Sequence, residues 1–120
     1  MRKQVKDAPI RCTLRVGMRR EKTFWGPGVA QLLHGIEEKR SLRSAAQTME
    51  MSYSKAWKII HDAEKELGFK LIESTAGGAL GGGSTLTPQG DAILQAYDSI
   101  VSELEQLAQA VYEKHIQSII

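Results

Sequence analysis

Two helical patterns, one short and one longer, lie only a few residues apart in the middle of this 120-residue chain. The first follows Ser41, a residue suited to cap a helix, and its apolar positions repeat at i, i+3, i+4 and i+7 as Leu42, Ala45, Ala46 and Met49. The second follows Ser52 and runs through Leu67 to a stop at Gly68. Because Ala45 and Ala46 are small, the two helices can cross steeply with their backbones close together. This arrangement is typical of a helix-turn-helix.

The longer helix is predicted to have one apolar face and one polar, cationic face. At 100° per residue the apolar positions fall together as Ala56, Ile60, Ala63 and Leu67. The opposite face carries Ser54, Lys58, His61 and Lys65, with Lys55 and Asp62 on one flank. Residues 39–58 hold five Lys or Arg against one acid, whereas the later turns of the helix are acidic. Insertion of the first half of the helix into a DNA major groove requires this polarity.

The periodicity alone leaves an ordinary solvated helix face as an equal interpretation. We expect Tyr53 and Trp57, which flank the apolar face, to pack at the edge of the core rather than to stack on bases. His34, His61 and His115 are isolated from other metal-ligating residues in the sequence, so we expect no metal and no cofactor.

A glycine-rich stretch follows, with five glycines among residues 77–83. It lacks the Lys-Ser/Thr pair of a phosphate-binding loop, and it lacks the surrounding βαβ unit of a dinucleotide-binding fold. A linker is possible, but both flanks have strand character. We therefore predict a β-hairpin, with residues 70–74 and 85–86 as its strands and the glycines at its tip. A hairpin directly after a helix-turn-helix is a wing.

The amino-terminal part of the chain alternates between apolar and polar residues. The apolar positions are Ile10, Cys12, Leu14, Val16 and Met18. This period of two predicts a half-buried strand that returns through "TFW" as a hairpin. "GPG" at residues 26–28 then opens a helix whose apolar positions continue to Ile36.

The last helix is predicted to start at Thr87-Pro88 and to run to about His115. Its apolar residues have spacings of four and three, which form a heptad seam: Ile93, Tyr97, Ile100, Leu104, Leu107 and Val111. Such a helix is about 42 Å long, which is more than one small domain covers. The seam therefore predicts a homodimer, with a helix that serves only its own core as the alternative.

Composition limits the class of protein. Hydrophobic residues are 42% and charged residues 25%, the balance of a globular domain, and the single cysteine excludes an internal disulfide. No apolar run approaches the ~20 residues of a membrane span, and the amino terminus has no signal-peptide core, so we expect a cytoplasmic protein. Without paired carboxylates, an activated nucleophile or metal-spaced ligands, we expect no enzyme.

Several motifs in the right order resemble a known family. They are "GPG" before the first helix, "SL--AA" on the second, "MSYSKAW" opening the third and "GG--GGG--LTP-G" in the hairpin. Together they resemble the N-terminal DNA-binding domain of the molybdate-responsive ModE regulators, which is itself similar to the winged helix-turn-helix of LysR-type regulators. The resemblance covers roughly residues 10–115.

The resemblance implies specific contacts. The recognition-helix positions of the family match Ser52, Tyr53, Ser54, Lys55 and Lys58, and its wing contacts match the stretch from Thr75 to Ser84, including Gly77, Gly78, Gly81 and Gly82. Arg43 is expected on a phosphate, and the last helix matches the dimerisation element. The family's C-terminal oxyanion-binding or effector domains have no counterpart before Ile120. We therefore do not transfer molybdate sensing to this chain.

These observations predict a mainly α fold with a small β component, a winged helix-turn-helix with a long C-terminal dimerisation helix. Residues 1–9 form a tail, 10–87 the winged helix-turn-helix domain with its N-terminal strand, 88–115 the dimerisation helix and 116–120 a second tail. The predicted function is sequence-specific binding of double-stranded DNA as a homodimeric transcription regulator, with molybdenum metabolism as the context that the resemblance suggests. The alternative is a protein-interaction module that uses this scaffold without DNA.

Overall fold

The computed structural model describes residues 8–75 and 83–120. Its helices and strands follow in the order β1 Met18–Arg19, β2 Thr23–Trp25, α1 Pro27–Lys39, α2 Leu42–Thr48, α3 Tyr53–Leu67, β3 Ile72–Ser74, β4 Ser84–Leu86 and α4 Pro88–Ile116. The strands pair as two antiparallel hairpins, β1 with β2 and β3 with β4. The mainly α architecture with a small β component and a long last helix is confirmed.

The helices begin and end where the sequence predicts. Ser41, Ser52 and Thr87 cap α2, α3 and α4: each side-chain oxygen accepts the backbone N–H three residues later, at 3.0, 3.1 and 2.9 Å. Gly68 ends α3 with φ 82°, a left-handed conformation that glycine adopts without steric cost. Capping by hydroxyl groups therefore fixes the helix starts, including the start of α3.

The hydrophobic core lies where α1, α2 and α3 meet the first turns of α4. Its largest fully buried side chains are Trp25, Leu32, Leu33, Ile36, Ile60, Leu71 and Leu94. The rings of Trp25 and Tyr97 pack with their centroids 5.7 Å apart, which joins β2 to α4. The burial of both rings therefore attaches the long helix to the three-helix unit.

Helices α1 and α2 lie close together where Gly35 faces Ala45. A Cβ placed on Gly35 of α1 would lie 2.8 Å from the Cβ of Ala45 on α2. The turn from α2 to α3 is short because Glu50 adopts φ 56° and the Met51 N–H donates to the Ala46 carbonyl at 3.0 Å. This turn fixes the direction in which α3 leaves α2.

The strand predicted across residues 10–19 is wrong for most of its length. Only Met18–Arg19 pairs with β2. Residues 8–17, here called the N-terminal arm, lie along α4 instead: the Cys12 N–H donates to Gln109 Oε1 at 3.0 Å, and the Tyr97 hydroxyl donates to the Val16 carbonyl at 2.7 Å. Burial raises the pKa of Tyr97, which keeps this donor protonated. Of the alternating apolar residues, Cys12, Val16 and Met18 are partly buried, whereas Ile10 and Leu14 are exposed, so the alternation does not mark a paired strand.

We expect Gly35→Ala to destabilise the fold, because its methyl group would press on Ala45, whose Cα would lie only 3.3 Å away. The loss should be about 1–3 kcal/mol, reduced by the better helix propensity of alanine. Gly28→Ala in the same helix is the matched control, since an added Cβ there has nothing within 4 Å. Urea unfolding measures both variants. Equal stability of the two would show that the crossing tolerates a wider separation.

Candidate nucleic-acid interface

The first two turns of α3 are exposed and carry the predicted contact residues. Ser54, Lys55 and Lys58 all have exposed side chains, and the buried residues of the helix lie on its other side. The Nζ of Lys58 lies 2.7 Å from Asp62 Oδ2, an exposed i,i+4 ion pair that water screens. Ser52 caps the helix with its hydroxyl oxygen, so this side chain lies at the start of the helix. The beginning of α3 thus presents hydroxyl and ammonium donors to a ligand.

Tyr53 connects α3 to α2 and to the hairpin. The Arg43 guanidinium carbon lies 4.6 Å from the centroid of the Tyr53 ring, within the range of a cation–π contact. The two residues line a polar groove together with Ser41, Ser74 and Ser84. The structure therefore brings Arg43, Tyr53 and Ser84, all predicted from the sequence, around one groove between the helix-turn-helix and the hairpin.

The predicted wing is present as the hairpin of β3 and β4. Its register pairs Ile72 with Leu86 and Ser74 with Ser84. Thr75 closes the described part of the hairpin, because its N–H donates to the Gly83 carbonyl and its Oγ1 accepts the Gly83 N–H, both at 2.9 Å. The remaining predicted wing residues, Gly77, Gly78, Gly81 and Gly82, lie outside the described residues.

Two anchors hold the wing against the helices. Glu64 Oε2 accepts the backbone N–H groups of Leu71 and Ile72, at 2.8 and 3.3 Å, and so ties α3 to β3. The Ser84 N–H donates to the Arg40 carbonyl at 3.0 Å, which ties β4 to the corner between α1 and α2. The hairpin is therefore held against the helices by hydrogen bonds to backbone groups of both of its strands.

The expectation that Tyr53 and Trp57 pack in or at the edge of the core is wrong, since neither belongs to the core or to the residues packed against it. Trp57 is 47% exposed and Tyr53 42% exposed, so neither is enclosed by the core. Trp57 stacks on His61 instead, with ring centroids 3.7 Å apart. An aromatic residue at 100° from the centre of the apolar face can pack inward or point outward, and the helical projection alone does not separate the two cases.

The charges on this surface match the sequence-based expectation. The five cations of residues 39–58 are all exposed: Lys39, Arg40, Arg43, Lys55 and Lys58. In the second half of α3, Glu66 pairs with Arg20 of the β1–β2 turn at 3.1 Å. Across residues 8–75 and 83–120, no cluster of three or more His, Cys, Asp or Glu is suited to a metal ion. The same ranges contain no helix with the length and apolar character of a membrane span.

The predicted dimerisation seam divides into two parts on α4. Tyr97 is buried in its own domain, and Ile93 is partly buried against the core. The remaining four residues are exposed: Ile100, Leu104, Leu107 and Val111. The first part of the seam therefore packs within the chain, and the second part is an uncovered apolar row.

A short helix, a tight turn, an exposed second helix and an adjoining hairpin define a winged helix-turn-helix domain. The family model described as "Bacterial regulatory helix-turn-helix protein, lysR family" matches residues 30–91, just over half of the chain. The chain therefore belongs to the lysR family of bacterial regulatory helix-turn-helix proteins.

Among curated proteins, the chain is similar to a transcription regulator and to a molybdenum-pterin-binding protein. The chain is 32% identical over 102 residues to the DNA-binding transcriptional dual regulator ModE of Escherichia coli (strain K12), covering 85% of this chain and 37% of the relative. It is 29% identical over 106 residues to the molybdenum-pterin-binding protein MopB of Rhodobacter capsulatus, covering 88% and 39%. The chain thus spans about two fifths of the length of these relatives.

Solved structures agree on the fold. The CbnR_DBD–DNA complex aligns with a TM-score of 0.57 at 19% identity, covering 72% of this chain and 93% of that chain. The BenM_DBD/benA site 1 DNA complex aligns with a TM-score of 0.53 at 22% identity, covering 78% and 96%. At these identities the alignments establish the winged helix-turn-helix architecture.

Removal of the Glu64 carboxylate should loosen the wing. We expect Glu64→Ala to cost about 1–3 kcal/mol, because two partly buried backbone N–H groups lose their acceptor. Glu66→Ala, two residues away, removes only an exposed pair with Arg20 and should cost less than about 1 kcal/mol. Denaturant unfolding and amide hydrogen exchange at Leu71 and Ile72 check this difference. Unchanged exchange in Glu64→Ala would contradict it.

Proposed function

We propose that this chain is the DNA-binding and dimerisation module of a transcription regulator, and that α3 enters the major groove of duplex DNA. The observation that carries the proposal is the exposed, cationic beginning of α3, with a hairpin held beside it. A helix needs a free N-terminal half to reach base edges, and a neighbouring hairpin supplies contacts to the backbone or the minor groove.

Within this proposal the contact residues have different roles. Arg43, at the edge of the groove between α2 and the hairpin, binds a phosphate, and so do the backbone and hydroxyl groups of the wing near Thr75 and Ser84. Ser54, Lys55 and Lys58 read base edges, since lysine can donate to guanine O6 and N7 and serine pairs with several edges. Loss of Arg43 should weaken binding to all sequences alike and reduce the salt dependence of binding.

The relatives support this proposal. The curated E. coli relative is named as a DNA-binding transcriptional dual regulator, and both structural neighbours were crystallised with DNA. The names of the relatives ModE and MopB also support molybdenum metabolism as the physiological context. We propose no molybdate site in this chain, because the match covers about two fifths of those proteins.

The proposal has consequences for localisation and chemistry. A regulator that binds the bacterial chromosome acts in the cytoplasm. Its proposed activity is binding rather than catalysis, because Ser54, Lys55 and Lys58 of α3 are exposed hydrogen-bond donors and none of them forms a nucleophile–base pair among the described contacts.

We further propose that two copies associate through the uncovered apolar row of α4. At 1.5 Å per residue, the 29 residues of α4 extend about 43 Å, and its second half projects beyond the core. The exposed row repeats at four, three and four residues, which is the spacing of a coiled-coil seam. A twofold dimer would carry its two α3 helices about 34 Å apart, one turn of DNA, and would favour a near-palindromic site.

We expect Lys55→Ala and Lys58→Ala each to lower affinity for the preferred duplex by about 1–3 kcal/mol, because each removes a base-edge donor. The duplex comes from selection of bound genomic fragments by the wild-type chain. Lys65→Ala is the matched control, an exposed lysine in the last turn of the same helix, which should change affinity little. Fluorescence anisotropy across a salt titration measures all three variants.

Two results would count against the proposed function. If both lysine variants bind like the control, the reading face lies elsewhere. If the wild-type chain shows no salt-sensitive binding to genomic duplexes, the chain is a protein-interaction module on a winged-helix scaffold, because binding to DNA phosphates releases counterions and must weaken with salt.

Leu107→Glu tests the dimer. Leu107 is 59% exposed in the single chain, so the substitution should leave the fold intact. In the proposed dimer it would bury a charge near the seam, which costs several kcal/mol, and the expected result is a monomer at micromolar concentration. Gln106→Glu adds the same charge one residue away from the row and should remain dimeric. Sedimentation equilibrium distinguishes the two, and a monomeric wild-type chain would refute the dimer.

A further inference from the structure

One side of α3 combines polar residues with a large aromatic ring. Ser54, Trp57, Lys58 and His61 are spaced at one helical turn and lie away from the buried stripe of Ala56, Ile60 and Ala63. Trp57 is therefore on the surface that the proposed function turns toward DNA. Among the described residues, Ile59 and Leu67 of α3 pack against the core, whereas Trp57 is not part of it.

The indole ring is held in place by its neighbours. His61 stacks on it with an interplanar angle of 16°, and His61 Nδ1 lies 2.8 Å from the Trp57 carbonyl. Because a carbonyl oxygen only accepts, Nδ1 carries a proton and donates. The other ring nitrogen, Nε2, lies 3.7 Å from Glu64 Oε1, the residue that anchors the wing. One face of the indole is thus covered, while nearly half of the residue is open to solvent.

This geometry suits an apolar contact made in the groove. A preoriented aromatic ring has already lost most of its rotational freedom, so a contact with it costs little further entropy. The apolar group that a base edge presents in the major groove is the C5-methyl of thymine, and the donors beside Trp57 would contact the polar edges. This side of α3 therefore has an apolar ring suited to a thymine methyl group and, beside it, donors suited to the polar base edges of neighbouring base pairs.

We propose that Trp57 determines sequence specificity by packing its indole ring on a thymine methyl group, with His61 as the residue that positions the ring. This inference rests on the proposed function, since it requires α3 in the major groove. To Ser54, Lys55 and Lys58, which are proposed to form hydrogen bonds with the bases, it adds a residue that makes an apolar contact.

Replacement of single thymines by deoxyuridine tests the proposal, because this change removes only the methyl group. The probe is the duplex selected by the wild-type chain, with one thymine changed at a time in each half-site. We expect that replacement of the thymine at one position lowers the affinity of the wild-type chain about fourfold, which corresponds to the free energy of burying one methyl-sized group. This series needs no protein variant and is independent of any effect of substitution on folding.

The Trp57→Ala variant completes the test. It should bind the thymine duplex about tenfold more weakly than the wild type and should bind the thymine and deoxyuridine duplexes equally at the sensitive position. His61→Ala, which removes the stacking partner but keeps the indole, should reduce the methyl effect without abolishing it. Circular dichroism melting verifies that both variants remain folded.

The outcomes separate this inference from the proposed function. Wild-type binding that is salt-dependent but insensitive to every methyl removal, or a selected half-site without thymine, overturns the role of Trp57 and leaves DNA binding intact. Equal weakening of both duplexes by Trp57→Ala, with the methyl effect retained, assigns the ring to the DNA backbone and also overturns it. A wild-type chain that binds no duplex refutes both proposals.

Discussion

The close approach of α1 and α2 at Gly35 and Ala45 is the constraint on which the rest of the structure depends. Gly35 places no side chain between the two helices at this point, and residues from α3 and α4 complete the core around them. A larger residue at either position would separate the helices and change the angle at which α3 leaves the turn. The exposed beginning of α3 follows this closely packed pair of helices after a short turn.

The sequence predicted the elements whose signals are local. Hydroxyl caps before α2, α3 and α4, the Gly68 stop and the apolar periodicity each depend on residues within a turn or two, and the structure has these helix ends where they were expected. The pairing of β3 with β4 was predictable because strand-forming residues flank a glycine-rich stretch of sequence. For the candidate site, the same logic identified the cationic beginning of α3, since helical projection requires only the helix itself.

The features that the sequence did not predict depend on contacts between distant residues. The N-terminal arm has the alternation of a strand, but its hydrogen bonds go to Tyr97 and Gln109, about 80 and 97 positions along the chain. Trp57 and His61 stack on each other in the structure. In the sequence they are only two residues four positions apart, a spacing that residues packed in the core also show. The link from Glu64 to β3 had no signal, because acidic residues on a helix are usually solvated.

The hydrogen bonds from β3 to Glu64 also affect how a contact made by α3 and a contact made by the hairpin combine. Because the Glu64 carboxylate accepts hydrogen bonds from two backbone N–H groups of Leu71 and Ile72, it holds α3 and the first strand of the hairpin together. When one of two rigidly connected groups has bound its ligand, the other is present at a high effective concentration. Under the proposed function, the Glu64 side chain would set how strongly the DNA contacts of the helix and of the hairpin reinforce each other.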